Sequence, residues 1–278
     1  MRSPDLASMM IVTSGAAHAV VNAILKSGRD KMSSRALIDG FAALLVLPVA
    51  FFVPLPTGAW HWLLGSWATH VFYLYCLIRS FELADMIVAY PIARGVAPAL
   101  ASIVAVGAFH ERMTWPIAAG IGLVSTGVMT VGVGRHVSPV ALRWAGATGV
   151  SIALYTVLDA QGVRAAPSAA SYIVWNYLML GGGIGLLFAV WRGPAFVGAA
   201  RGEWKAGLVA GALSILSYGL ALAAYRMGAT PRLAALRESS ILFGVAIAVL
   251  VLKERLTRSR AIGVGVIAAG AVTLLMLR

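Results

Sequence analysis

Apolar residues run along this chain in ten stretches, roughly 5–26, 34–54, 59–80, 84–107, 115–134, 141–162, 168–191, 204–226, 230–252 and 258–277, separated by short polar segments. Each is close to the about 20 residues that a helix needs to cross a bilayer. The pattern therefore predicts an all-α membrane protein with ten transmembrane helices. The connections leave no room for a soluble domain. The first stretch is full-length and no small-residue cleavage site follows a short apolar run, so it is expected to stay in the mature protein.

The stretches repeat. ERMTWPIAAGIGLVSTGVMT at 111–130 returns as ERLTRSRAIGVGVIAAGAVT at 254–273, with identities at Glu111/Glu254, Arg112/Arg255, Thr114/Thr257, Ala118/Ala261, Gly120/Gly263, Gly122/Gly265, Gly127/Gly270 and Thr130/Thr273. Small-residue bias produces chance glycine matches, but not Glu-Arg-x-Thr as well. The same offset of 143 pairs Tyr75 with Tyr218 and Arg94 with Arg237, while an offset of 137 pairs His18 with Tyr155 and Asn22 with Asp159. The change of offset predicts a six-residue insertion, placed in the loop WRGPAFVGAARGE between spans 7 and 8. Ten spans then divide into two five-helix repeats, 1–137 and 138–278. An odd number of spans per repeat makes the second copy enter from the opposite side, so the repeats are inverted, around a central cavity.

Composition agrees: 60% of residues are hydrophobic, 12% are charged and the mean hydropathy is +0.87, too little polar sequence to cover a soluble domain. The net charge of +12 invites a nucleic-acid reading, but its distribution argues for a membrane. Lys26, Arg29, Lys31, Arg35, Arg79, Arg135, Arg143, Arg192, Arg201, Lys205, Lys253, Arg255, Arg258 and Arg260 fall on one side of the ten-span arrangement; Arg2, Arg112, Arg164, Arg226, Arg232 and Arg278 fall on the other. Basic residues near span ends stay cytoplasmic, so both termini are expected outside. Trp60, Trp62, Trp115, Trp144, Trp191 and Trp204 lie at span ends, as an interfacial belt requires. Lone Cys76 lies inside a span and has no internal disulfide partner.

Two repeats of five helices, each with a Pro- or small-residue-rich fourth helix, then a Glu-Arg turn, then G-x-G-x4-G, resemble the EamA-type branch of the drug/metabolite transporter superfamily over essentially the whole chain. The resemblance implies a cavity lined by helices 1, 3, 4, 6, 8 and 9, with helices 5 and 10 peripheral. One departure matters. The related small multidrug resistance group carries a Glu in its first helix, whereas span 1 here offers His18 and Asn22 in its interior and no carboxylate, which argues against a cationic-drug exporter.

An ionisable group inside a span costs about 2.5 to 3.5 kcal/mol and marks either a functional site or a buried pair. Arg94, Asp159, Arg237 and Glu238 stand out. Arg94 lies in YPIARGVAP, where Pro91, Gly95 and Pro98 each weaken a helix, so the fourth span is expected to break there. With Tyr90 one turn earlier, Arg94 would suit a bidentate grip on a carboxylate or phosphate. Alternatively it ties helices together through a carboxylate such as Glu82 or Asp85. Arg237 holds the equivalent place in span 9, and Glu238 and Asp159 could either carry a coupled proton or neutralise it. His18 and Asn22, spaced i,i+4, share one helix face, and Tyr155 and Asp159 repeat that spacing. Trp175, Asn176, Tyr218 and Tyr225 could add stacking or hydrogen-bonding surface, or simply pack. Glu111 and Glu254 sit where a carboxylate can cap the next helix, and the repeated glycines allow close helix contact.

The five histidines, His18, His61, His70, His110 and His136, are scattered without metal-ligand spacing, and there is no Walker A motif. Neither an enzyme, a metal site nor a cofactor is expected. The reading is a secondary-active transporter of the bacterial inner membrane, a monomer or homodimer, exporting a small polar metabolite by alternating access, with protons as a candidate coupling ion. An amino acid or other carboxylate is the favoured substrate. A carrier or flippase for a phosphate-bearing or lipid-linked metabolite, or a passive channel, is the alternative.

Overall fold

The computed structural model describes residues 3–28, 30–83, 86–131, 138–251, 253 and 255–277, with the backbone alone for 3–5, 81 and 86–90. All regular structure among them is helical: α1 (Ser3–Ser27), α2 (Lys31–Val46, continued as a 3-10 turn Leu47–Phe51), α3 (Trp60–Leu83), α4 (Met86–Phe109), α5 (Trp115–Val131), α6 (Pro139–Ala165), α7 (Ala169–Tyr177), α8 (Gly183–Arg192), α9 (Pro194–Met227), α10 (Thr230–Arg237), α11 (Ser240–Leu250) and α12 (Arg258–Met276). A π-helical segment, Leu178–Gly182, joins α7 to α8. Among the described residues eight helical stretches are long and apolar enough to cross a membrane. α5 is apolar but has only 17 residues, and α3, richer in polar residues such as Ser66, Thr69 and His70, is not among the eight.

The helices pack through small residues rather than through a large aromatic core. A Cβ on Gly127 would lie 2.9 Å from the Gly263 carbonyl, and one on Gly270 would lie 2.9 Å from the Gly120 carbonyl, so α5 and α12 meet backbone to backbone. Because Gly120 faces Gly270 and Gly127 faces Gly263, the two helices run antiparallel. Gly122 and Gly265, expected to help, meet nothing within 4 Å. They sit two residues off the contact face, which a 3.6-residue turn rotates away. α4 runs antiparallel to α10 and α11 as well: Arg94 reaches Glu238 and Ser240, while Ala101 and Ala105 pack with Ala234. α1 lies along α9, and α3 along α6.

Two expectations about continuity are corrected. α4 does not break at its prolines; it is one helix with Pro91 and Pro98 inside it. Packing on α6, where Gly149 admits the Ala93 carbonyl, holds it through both. The interruption falls instead between α10 and α11. There Glu238 N–H bonds Ala235 O (3.1 Å) and Ser239 N–H bonds Leu236 O (3.1 Å), tightening the turn to an i→i−3 pattern without a proline. The segment 191–203, expected to be a loop, is helical on both sides of Gly193, whose φ of +52° makes the turn; α9 begins at Pro194, the favoured first helical position.

Left-handed residues follow α4 and α11: His110 (φ 53°) and Lys253 (φ 56°), 143 residues apart, are the two non-glycine residues with positive φ among those described. At His110 the cap bond is made, His110 N–H to Val106 O at 3.1 Å, and Glu111 N–H reaches back to Ala105 O at 3.0 Å. That turn throws the Glu111 side chain back over the helix ends. Glu254 lies outside the described residues.

Candidate functional site

The four intramembrane charges singled out by sequence gather in the interior. Arg94, Asp159, Arg237 and Glu238 have relative exposures of 5%, 0%, 7% and 3%. Such burial needs compensation for each charge, and the compensation is unequal. Arg94 Nε lies 3.1 Å from Glu238 Oε2, and its Nη2 donates to Ser240 Oγ at 3.4 Å. The carboxylate partner of Arg94 is therefore Glu238, across the chain, whereas Glu82 is engaged by Arg79 at 2.5 Å and Asp85 lies outside the described residues. The alternative in which Glu238 neutralises its neighbour Arg237 is not seen as an ion pair among the described residues. Adjacent helical positions diverge by about 100°, and the turn at 238–239 aims Glu238 at α4.

Arg237 has no carboxylate at ion-pair distance among the described residues. Its guanidinium lies over the Tyr218 ring, 4.8 Å from the centroid, and its Nε–H has no hydrogen-bond partner among the described residues. Asp159 has no cation at ion-pair distance among the described residues; it is satisfied by hydroxyl and amide donors. Tyr172 donates to Oδ1 at 2.8 Å, Asn176 Nδ2 donates to Oδ1 at 3.1 Å, and Tyr218 donates to Oδ2. Tyr218 thus carries the cation on its face and the carboxylate at its hydroxyl. Tyr155, one turn before Asp159, stacks on His70 at 4.0 Å, with Tyr73 edge-on to it at 5.7 Å.

Other sequence candidates fall at varying distances from this centre. Tyr225 is buried with its hydroxyl unbonded among the described residues, and it lines a cavity of about 10 Å³ with Arg94, Thr156, Arg237 and Glu238. That is room for about one water. His18 on α1 is half-buried within electrostatic reach of Arg237 and Arg94, and Asn22, one turn on, is half-buried. Trp175 packs edge-on against Trp60 at 5.4 Å, near the end of its helix. The side chain of Tyr90 lies outside the described residues. A larger cavity, about 150 Å³, opens at the α1–α2 turn beside Glu203, which accepts a bond from Ser34 at 2.7 Å.

Sequence reasoning passed over His70 and Tyr172. His70 carried a usable signal, an ionisable side chain inside a span. Tyr172 carried none, because only the α6–α7 hairpin brings it to Asp159. The Glu-Arg turn also acts differently from expectation. Glu111 caps α10, not the next helix α5: its Oε2 accepts from Thr230 N–H at 2.7 Å and its Oε1 from Thr230 Oγ1 at 2.7 Å and Arg164 Nη1 at 2.6 Å.

Residues 140–276 match the family model of the EamA-like transporter family. No curated protein matches the chain. A crystal structure of a protein aligns with 98% of this chain and 96% of that chain at a TM-score of 0.72 and 17% identity, which shows a shared fold. An all-helical chain of apolar, glycine-packed helices with charges buried at its centre thus carries, over residues 140–276, the match to the EamA-like transporter family of multi-pass membrane proteins.

Proposed function

We propose that this chain is a secondary-active carrier of the bacterial inner membrane that moves a small polar metabolite with an anionic group, an amino acid or another carboxylate, by alternating access between two inverted five-helix repeats. The observation that carries the reading is Arg237: a buried guanidinium with no carboxylate partner among the described residues, an unbonded Nε–H and the Tyr218 face beneath it. A planar fork in that state fits a bidentate anion. Arg94, the symmetry mate, is already neutralised by Glu238, so the two repeats divide the work.

Several features support ten crossings in two inverted halves. α5 and α12, the fifth spans of each half, are antiparallel, as are α4 and the α10–α11 pair. The pairings of α1 with α9 and of α3 with α6 exchange under such a symmetry. The left-handed turns at His110 and Lys253 keep the offset of 143. The cavity beside Arg237 and Glu238 has room for about one water, too little for a metabolite, so binding there requires the lining helices to part.

The test is a panel of amino acids, monocarboxylates and phosphate esters measured by thermal shift on the purified protein, followed by uptake into proteoliposomes. A carboxylate that stabilises the wild type should lose that effect in Arg237→Gln. In Arg237→Lys, which keeps the charge without the fork, binding should weaken by about 1 to 3 kcal/mol. Undiminished binding by Arg237→Gln overturns the assignment, and linear, non-saturating flux would make the protein a channel.

A further inference from the structure

Four of the buried charges gather at the centre and sum to zero with both of their carboxylates ionised: Arg94 against Glu238 in direct contact, and Arg237 against Asp159 with the Tyr218 ring between them; the further buried carboxylate, Asp39 on α2, is matched by Arg35 at 2.7 Å. An anion arriving at Arg237 upsets that balance, because it neutralises the guanidinium and leaves the Asp159 charge uncompensated in a low-dielectric interior. Resting on the carrier reading above, we infer that Asp159 is the coupling group: it takes up one proton when an anion occupies Arg237 and gives the proton back when the anion leaves. The loaded site is then neutral for a monovalent anion, as is the empty one, so anion and proton cross together.

The partners of Asp159 suit this role. Both of its oxygens already receive donors and the residue is fully buried, which leaves no face for a substrate ammonium group. The donors at Tyr172 and Tyr218 are hydroxyls, and a hydroxyl can turn from donor to acceptor, so a protonated Asp159 keeps a hydrogen bond by donating to Tyr218 Oη. A guanidinium could not reverse in this way. Glu238, held by Arg94 at 3.1 Å, has no such freedom. Other titratable or charged groups facing this space are His70 on α3, stacked on Tyr155 and bonded at Nδ1 to Ser66 O (2.9 Å), His18 on α1, Tyr225 on α9, and the Arg35–Asp39 pair on α2, whose Arg35 is within electrostatic reach of both histidines. Coupling in this sense makes an acid exterior drive uptake of the anion, so net export would have to run on the substrate's own gradient.

The inference can be tested without knowing the substrate, because removing the Arg237 charge has the same effect on the balance as neutralising it. Infrared spectra of the purified full-length protein at pH 7 should show a protonated-carboxyl C=O stretch in Arg237→Gln that is absent from wild type and from Arg237→Lys, and lost in Arg237→Gln/Asp159→Asn. If Arg237→Gln does not fold, Arg237→Met, similar in length and uncharged, takes its place. A spectrum with no such stretch overturns the inference. So does a stretch that survives Asp159→Asn, which would move the proton to another buried carboxyl, Glu238 or Asp39. A missing stretch leaves the panel result of the carrier reading standing, and a panel without a binder leaves the infrared result standing.

Discussion

Replacing Glu111 with Gln should destabilise the protein by about 2 to 4 kcal/mol, and the figure follows from what the carboxylate holds. Oε1 accepts from Arg164 Nη1 (2.6 Å), Thr230 Oγ1 (2.7 Å) and Gln161 Nε2 (3.3 Å), while Oε2 accepts from Thr230 N–H (2.7 Å). Four donors converge on an acceptor-only group. A Gln has one acceptor oxygen and one donor amide, so either orientation sets N–H against N–H or O–H. The variant loses a charge-assisted bond, about 1.5 to 3 kcal/mol, and weakens the cap of α10, about 1 kcal/mol. The loss does not reach the top of the roughly 3 to 5 kcal/mol range of a stranded buried charge, because Arg164 keeps bonds to Tyr225 O (2.9 Å), Gly228 O (2.8 Å) and Thr230 Oγ1 (3.0 Å). Thermal unfolding in detergent, run as a double-mutant cycle with Arg164→Gln, reads both the total and the coupling. A loss under about 0.5 kcal/mol, the value of an exposed pair, would refute the view that this network fastens α4, α6, α9 and α10 together.

Further outcomes follow from the same structure. Gly127→Ala should part α5 from α12, since its Cβ would meet Ile267 N at 2.7 Å and backbone cannot yield, with a loss of about 1 to 3 kcal/mol; Gly122→Ala, facing open space, should be neutral or stabilising by up to about 1 kcal/mol on the same thermal assay. Arg94→Gln should cost about 3 to 5 kcal/mol by stranding Glu238, and Arg94→Gln/Glu238→Gln should recover most of it. Burial alone would raise the Asp30 carboxyl, but the Ser33 hydroxyl and the Arg192 guanidinium outweigh it and hold it below the usual carboxylate value. Its contribution is therefore complete above the unfolded pKa of about 4 and is lost as pH falls through the lower folded value; hydrogen exchange at the α1–α2 turn should rise in acid in wild type and be high already at pH 7 in Asp30→Asn. A reporter fused after residue 278 should read as periplasmic, from the basic excess in the opposite loops; a cytoplasmic signal would reverse the sidedness.

The apolar stretches by themselves determined the membrane class and the helical content, because hydrocarbon admits only segments that satisfy their own backbone and the length of such segments is visible one residue at a time. The duplication was legible for the same reason, since an offset of 143 survives in Glu-Arg-x-Thr and in the glycines whatever the packing. Four of the buried charges, Arg94, Asp159, Arg237 and Glu238, were legible too, as exceptions in apolar sequence, whereas buried Asp39 was passed over. Which charge answers which was not legible. Sequence offers Arg237 beside Glu238, and the structure gives Glu238 to Arg94 because a 3-10 turn rotates it toward α4. It likewise sends Glu111 to the start of α10 and Tyr172 to Asp159, partners 119 and 13 residues apart. Pairing depends on helix rotation and on which helices adjoin, and periodicity contains neither. The break in the ninth apolar stretch, rather than at the prolines of the fourth, has the same origin: proline weakens a helix locally, but close packing on α6 keeps α4 whole, while the approach of Gly15 on α1 to Ser240 N and the pull of Arg94 on Glu238 open the other.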